Sequence, residues 1–141
     1  MMIYQFYYYQ FNLLSTIFLL LNNMKGTHAH AFVSAFNDLN DVKFGTLMKN
    51  TTSNNSDTDS KNYNETESVD FVEEVLSIRK ELGFLATHEG ELAAFISYAC
   101  CYPTNALLLV DTYDTLSSGV LNFLCVAIGL LRCGYKPVGI R

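Results

Sequence analysis

Ala106-Leu107-Leu108-Leu109-Val110 is a short, uninterrupted apolar run, the mark of a strand covered on both faces. Asp111-Thr112-Tyr113-Asp114-Thr115 follows it. From about Ser117 a helical period begins, with Val120, Phe123, Leu124, Ala127 and Leu131 assigned to the inward face and Gly134 at its end. Val138-Gly139-Ile140 then opens a second buried strand that reaches Arg141. Strand, helix and strand with tight connections predict a parallel βαβ unit, and so an α/β fold.

Upstream, Asp70 followed by Glu73 makes a capping-box-like helix start. Val72, Val75, Leu76 and Leu82 are expected on one face of that helix, with Gly83 as its C-terminal stop. Leu92, Phe95, Ile96 and Ala99 form the apolar face of a second helix that ends before Pro103. Residues 49–68 are of another kind. They are rich in Asn, Ser, Thr and Asp, with Tyr63 as the only bulky apolar side chain. Such a stretch buries too little surface to offset its ordering entropy and is expected to be a disordered insert. Its Asn-x-Ser/Thr matches at Asn50, Asn54 and Asn64 arise readily in Asn-rich sequence and say little about secretion.

Residues 1–24 carry no charged side chain. A signal peptide needs a basic start and a small-residue cleavage site, yet the first cation, Lys25, follows the apolar run. Gln5, Gln10, Asn12, Ser15 and Thr16 interrupt what would otherwise approach a membrane span. The expected division is therefore an uncharged segment foreign to the fold (1–24), a strand end and helix (25–48), the polar insert (49–68), and helices with the βαβ unit (69–141). No internal repeat is visible.

Across its 141 residues the chain is 50% hydrophobic and 16% charged, well below the charged share of about 25% in ordinary soluble domains. A net charge of -5 leaves no basic stripe for a phosphate backbone, which argues against a nucleic-acid partner. The four cysteines, Cys100, Cys101, Cys125 and Cys133, lie among apolar helical residues and read as buried free thiols of a reducing compartment.

In α/β folds, functional groups collect just past the carboxyl ends of the strands. Three places fit. Lys25-Gly26-Thr27-His28-Ala29-His30 offers a turn, a hydroxyl and two histidines, ahead of a helical face of Phe32, Val33 and Phe36. His28 and His30 are two apart and cannot share a helical face; a third metal ligand is not evident, and surface or capping histidines are the plainer reading. Asp111, at a strand end, could hold a ribose hydroxyl or a hydrated Mg²⁺, or cap the next helix, as Asp114 or Thr115 also could. Arg141, at the last strand tip, suits a bidentate grip on a carboxylate or phosphate, or is a solvated terminal residue.

Taken together, these blocks resemble nicotinate phosphoribosyltransferase. Gly26-Thr27-His28-Ala29-His30-Ala31-Phe32-Val33 is similar to that family's Gly-Thr-x-Ala-His-(Ser/Ala)-Phe-Val segment. Leu92-Ala93-Ala94-Phe95, Leu108-Leu109-Val110-Asp111-Thr112-Tyr113-Asp114-Thr115 and Gly134-Tyr135-Lys136-Pro137-Val138-Gly139-Ile140-Arg141 resemble later blocks, in the same order.

The resemblance implies part of an irregular α/β barrel of the type II phosphoribosyltransferases. It implies an enzyme forming nicotinate mononucleotide from nicotinate and phosphoribosyl diphosphate, with ATP hydrolysis and Mg²⁺, in the cytoplasm and as a homodimer when full length. It makes His30 the phosphohistidine, places Thr27 and Arg141 on nicotinate, and puts Asp111 at the ribose or Mg²⁺ end; His28 and His88 receive no role. Because the family is several times longer, the chain is expected to be a fragment, inactive in isolation. The alternatives are a small membrane-anchored binding module or an inactive partner of the full enzyme. Salt-resistant fractionation with membranes would single out the first.

Overall fold

The computed structural model describes residues 28–50 and 67–141. The segment 1–24, Thr27 and most of the 49–68 insert lie outside the described residues.

Helix α1 (His30–Val33) is a single turn that buries Val33. Strands β1 (Thr46–Met48) and β2 (Ser68–Asp70) pair antiparallel, with Leu47 opposite Val69. The pairing continues through Lys49 N–H to the Glu67 carbonyl at 2.9 Å, so the two ends of the polar insert lie side by side. This hairpin was not expected, because three residues per strand are too few to set up a visible alternation.

Helix α2 (Phe71–Leu82) starts as its sequence predicts. The Asp70 carboxylate accepts from the Glu73 N–H at 3.1 Å, and Gly83 closes the helix at φ 73°, a left-handed cap that a side chain would strain. Its buried stripe is Phe71, Val75 and Ile78, and Leu82 is exposed instead of inward. Phe71, left out of the sequence pattern, sets the phase. Arg79 is buried beside this stripe and donates to the carbonyls of Phe84, Leu85 and Thr87, which shapes the loop to the next helix.

Helix α3 (Glu89–Cys101) buries Leu92, Phe95, Ile96 and Ala99 as expected. Cys125 and Cys133 are buried and Cys100 is half-buried, where burial pushes its thiol up to about 12. Cys101, at the helix end, is exposed instead of buried.

Strand β3 (Leu107–Leu108) and strand β4 (Gly139–Ile140) are parallel, with a helical crossover between them. That crossover is a π-helical turn, Thr115–Gly119, running into helix α4 (Val120–Arg132). Further backbone bonds lengthen the pairing: Val138 N–H to Ala106 O (3.0 Å), Arg141 N–H to Leu108 O (2.8 Å) and Val110 N–H to Arg141 O (3.1 Å). Leu108, Leu109 and Val110 are buried, whereas β4 is only half-covered and Ile140 is exposed.

The inward face of α4 also differs from expectation. Asn122, Cys125, Val126, Gly129 and Leu130 are buried, at i, i+3, i+4, i+7 and i+8, while Leu124 and Leu131 face out. By length and composition Thr115–Arg132 could cross a membrane, but here its Asn122 face packs on α2 and α3 within the core.

Gly119 lies so close to the Val110 carbonyl that a Cβ would come within 2.0 Å of the oxygen. Gly119→Ala must therefore displace the turn, at an overpacking cost of about 1–3 kcal/mol. Asp70→Ala loses only a helix cap, about 1 kcal/mol. Urea denaturation of both variants is expected to rank Gly119→Ala as the more damaging; the reverse order would contradict the tight turn.

Candidate active site at the end of the parallel strands

Pairing β3 with β4 in parallel places their carboxyl ends together, so Asp111 and Arg141 emerge at the same end. His30, at the start of α1, is carried to this end from more than eighty residues away in sequence. Its Nδ1 lies 3.1 Å from the Thr112 hydroxyl, and its Nε2 lies 3.8 Å from the Asp111 carboxylate. Both side chains of the His30–Asp111 pair are more than half exposed, at 58% and 56%, so water screens any interaction between them. The helix-capping role is taken by Asp114, whose carboxylate accepts from the Ser117 N–H at 2.7 Å and is held below its usual range by that hydrogen bond. Asp111 is left turned toward His30.

Arg141 is exposed at the tip of β4 and is bound through its backbone to Leu108 and Val110. Three of the four residues singled out from sequence, His30, Asp111 and Arg141, thus come to one end of the strand pair. The fourth, Thr27, lies outside the described residues. Thr112 joins them although the sequence offered no sign beyond its place next to Asp111.

His28 is neither a surface nor a capping histidine. It is buried, with its ring 4.7 Å from that of Tyr98 and 5.3 Å from that of Phe32, and its Nε2 accepts from the Leu109 N–H at 3.4 Å. Burial lowers its pKa, the backbone at Ala29 opposes that shift, and the Arg141 and His30 charges add to the lowering. A neutral His28 therefore ties the helix carrying His30 to the strand carrying Asp111. The two histidines diverge, one inward and one outward. Among the described residues no group of three or more His, Cys, Asp and Glu is placed to share a metal ion.

Behind the site lies a polar network that sequence reasoning missed. Glu91 is completely buried, and its Oε2 accepts from Ser118 Oγ at 2.6 Å and from Asn122 Nδ2 at 3.0 Å. Its Oε1 and the Asn122 Oδ1 are buried with no protein partner among the described residues. The His88 N–H donates to Ser118 Oγ, its carbonyl accepts from Asn122, and its ring stacks on Tyr113 at 3.8 Å and 13°. The clue available beforehand was polar residues, Glu91 and Asn122, inside two otherwise apolar helices.

Burial raises the Glu91 pKa, and hydrogen bonds from Ser118 and Asn122 only partly offset it. The folded protein then holds this proton more tightly than the unfolded chain does. Stability from this group is full below the ordinary carboxylate range and falls as pH rises through the raised pKa. Compared with Glu91→Gln, which has nothing to titrate there, the wild-type chain is expected to lose ground in urea denaturation as pH rises above the ordinary carboxylate range. A constant difference above that range would contradict a raised Glu91.

No protein-family model matches the chain. It is 40% identical over 118 residues to nicotinate phosphoribosyltransferase of Dictyostelium discoideum, a match covering 84% of this chain and 18% of that protein. With nicotinate phosphoribosyltransferase 1 of Arabidopsis thaliana the identity is 40% over 123 residues, covering 84% of this chain and 20% of that one. The fold superposes on the crystal structure of human nicotinic acid phosphoribosyltransferase with a TM-score of 0.62 and 32% identity, over 82% of this chain and 22% of the human one. The chain thus spans about a fifth of the length of the curated relatives it matches. In sequence and in fold, it is related to the nicotinate phosphoribosyltransferases.

Proposed function

We propose that this chain supplies one corner of a nicotinate phosphoribosyltransferase site, on an irregular α/β barrel of the type II phosphoribosyltransferases. The reaction joins the ring nitrogen of nicotinate to the phosphoribosyl group of phosphoribosyl diphosphate and releases diphosphate, the first step of NAD synthesis from nicotinate. The observation that carries this reading is the convergence of His30, Asp111, Thr112 and the Arg141 strand tip at one end of the parallel pair. Turnover is expected only where the other parts of the site, carried by the longer relatives, are also present.

In this reading His30 Nε2 attacks the γ-phosphorus of ATP, the bond to the β–γ bridging oxygen breaks and ADP leaves, while Nδ1–H donates to the Thr112 hydroxyl. In that tautomer the Nε2 lone pair is free for attack. Arg141 pairs with the nicotinate carboxylate, which nicotinamide lacks, and Thr27 contacts the same substrate. Asp111 stands at the ribose or Mg²⁺ end. One carboxylate beside a hydroxyl suits Mg²⁺, which takes one or two protein carboxylates and completes its shell with substrate phosphates and water. Bound there, Mg²⁺ would neutralise charge on the leaving diphosphate. The same reading includes a homodimer in the full-length form and a cytoplasmic location, in keeping with four free cysteines.

Residues 28–141 grafted in place of the matching segment of the Dictyostelium relative provide the test. His30→Ala in the graft is expected to abolish ATP stimulation of nicotinate mononucleotide formation; stimulation that survives would remove His30 from that role. Arg141→Ala is expected to raise KM for nicotinate by roughly 10- to 150-fold, the loss of a charge-assisted pair of about 1.5–3 kcal/mol. Diphosphate handling should change less. An equal loss for both substrates would contradict a carboxylate-binding Arg141.

A further inference from the structure

We propose that Glu91 is a positioning residue that holds the Asp111–Asp114 loop against His30. It touches neither His30 nor Asp111. The functional meaning rests on the site reading above, but the geometry stands by itself.

Beside the Asp114 cap on Ser117, two anchors of the loop lead to Glu91. The first is Asp114, whose carbonyl accepts from the backbone N–H groups of Ser118 (3.1 Å) and Gly119 (2.9 Å). Ser118 is fixed in turn by its hydroxyl, which donates to Glu91 Oε2 at 2.6 Å. The second is Tyr113, whose ring lies flat on that of His88. The His88 backbone is clamped between the Ser118 hydroxyl (2.9 Å) and the Asn122 amide (3.0 Å), the two groups that share Glu91 Oε2. The His88 ring is oriented from the same helix turn, because its Nδ1 accepts the backbone N–H of Glu91 at 3.1 Å.

One buried oxygen thus joins the first turn of α3 to the π-helical turn that follows the loop. Thr112 lies between Asp111 and Tyr113, so the His30–Thr112 contact depends on where these two anchors stand. A carboxyl group suits the task because a single one of its oxygens can accept two hydrogen bonds, here from Ser118 and Asn122. Burial keeps water from competing for Ser118 and Asn122.

The test uses the full chain, with NMR cross-peaks between the His30 ring protons and the Thr112 methyl as the readout. Glu91→Leu keeps an apolar fill but removes the shared acceptor, and it is expected to lose these cross-peaks. Glu91→Gln keeps one acceptor oxygen and is expected to retain them. Should Glu91→Leu not fold, Ser118→Ala cuts the link to Asp114 with a smaller change and is expected to weaken the same cross-peaks. A role limited to overall stability would lower the melting temperature and leave the cross-peaks of the folded variants unchanged, which would overturn the proposal. Equal loss in Glu91→Gln would also overturn it. Because no turnover is measured, failure of the proposed activity leaves this result standing. Intact cross-peaks in Glu91→Leu alongside lost ATP stimulation in His30→Ala would refute the positioning role alone.

Discussion

The backbone hydrogen bonds between residues 106–110 and 138–141 set the geometry on which the rest depends. Parallel pairing requires a crossover, and the crossover here is a long, apolar helix that can bury one face on α2 and α3. Once the strands run in the same direction, their carboxyl ends and the side chains just beyond them must come together. Asp111 and Arg141 therefore meet at one end by topology, and neither needs a dedicated contact to get there. The core of Phe71, Val75, Ile78, Leu92, Phe95, Val126 and Leu130 supplies the burial that keeps the crossover in place.

Histidine and glutamate do the finer work. His28 is sunk among aromatic rings and uses its one accepting nitrogen on the backbone of Leu109, so the segment bearing His30 is stapled to the strand bearing Asp111. Glu91 works from the other side, beneath the loop. Both are costly groups to bury, and both spend that burial on hydrogen bonds that converge on a few residues of loop. Exposed ion pairs such as Lys49–Glu67 and Arg132–Glu81 contribute far less, since water screens them.

Much of this was legible in advance, and the misses share a cause. Helices α2 and α3 have local start and stop signals, Asp70 with Gly83 and an apolar period ending before Pro103, so their reading required nothing from afar. The phase of α4 could not be read that way. Val120, Leu121, Phe123, Leu124, Val126, Ile128, Leu130 and Leu131 make it apolar nearly all round, and the polar Asn122 faces inward only because Glu91, on another helix, receives it. The β1–β2 hairpin joins two three-residue strands across the insert. His28 needs Phe32 and Tyr98, and Thr112 needs His30, before either shows its role. His30, Asp111 and Arg141 were singled out by their place beside predicted strand ends, but that they share one end of a strand pair is a long-range fact that periodicity lacks.

His30, beside Thr112 and Asp111 at the end of the parallel strands, is the group proposed to accept phosphate from ATP. Mapping acid-labile phosphate by mass spectrometry on the grafted enzyme, after brief exposure to ATP, tests it most directly. The account expects the label on the peptide carrying His30 and its loss in His30→Ala. Label on another residue, or label that survives His30→Ala, would contradict it.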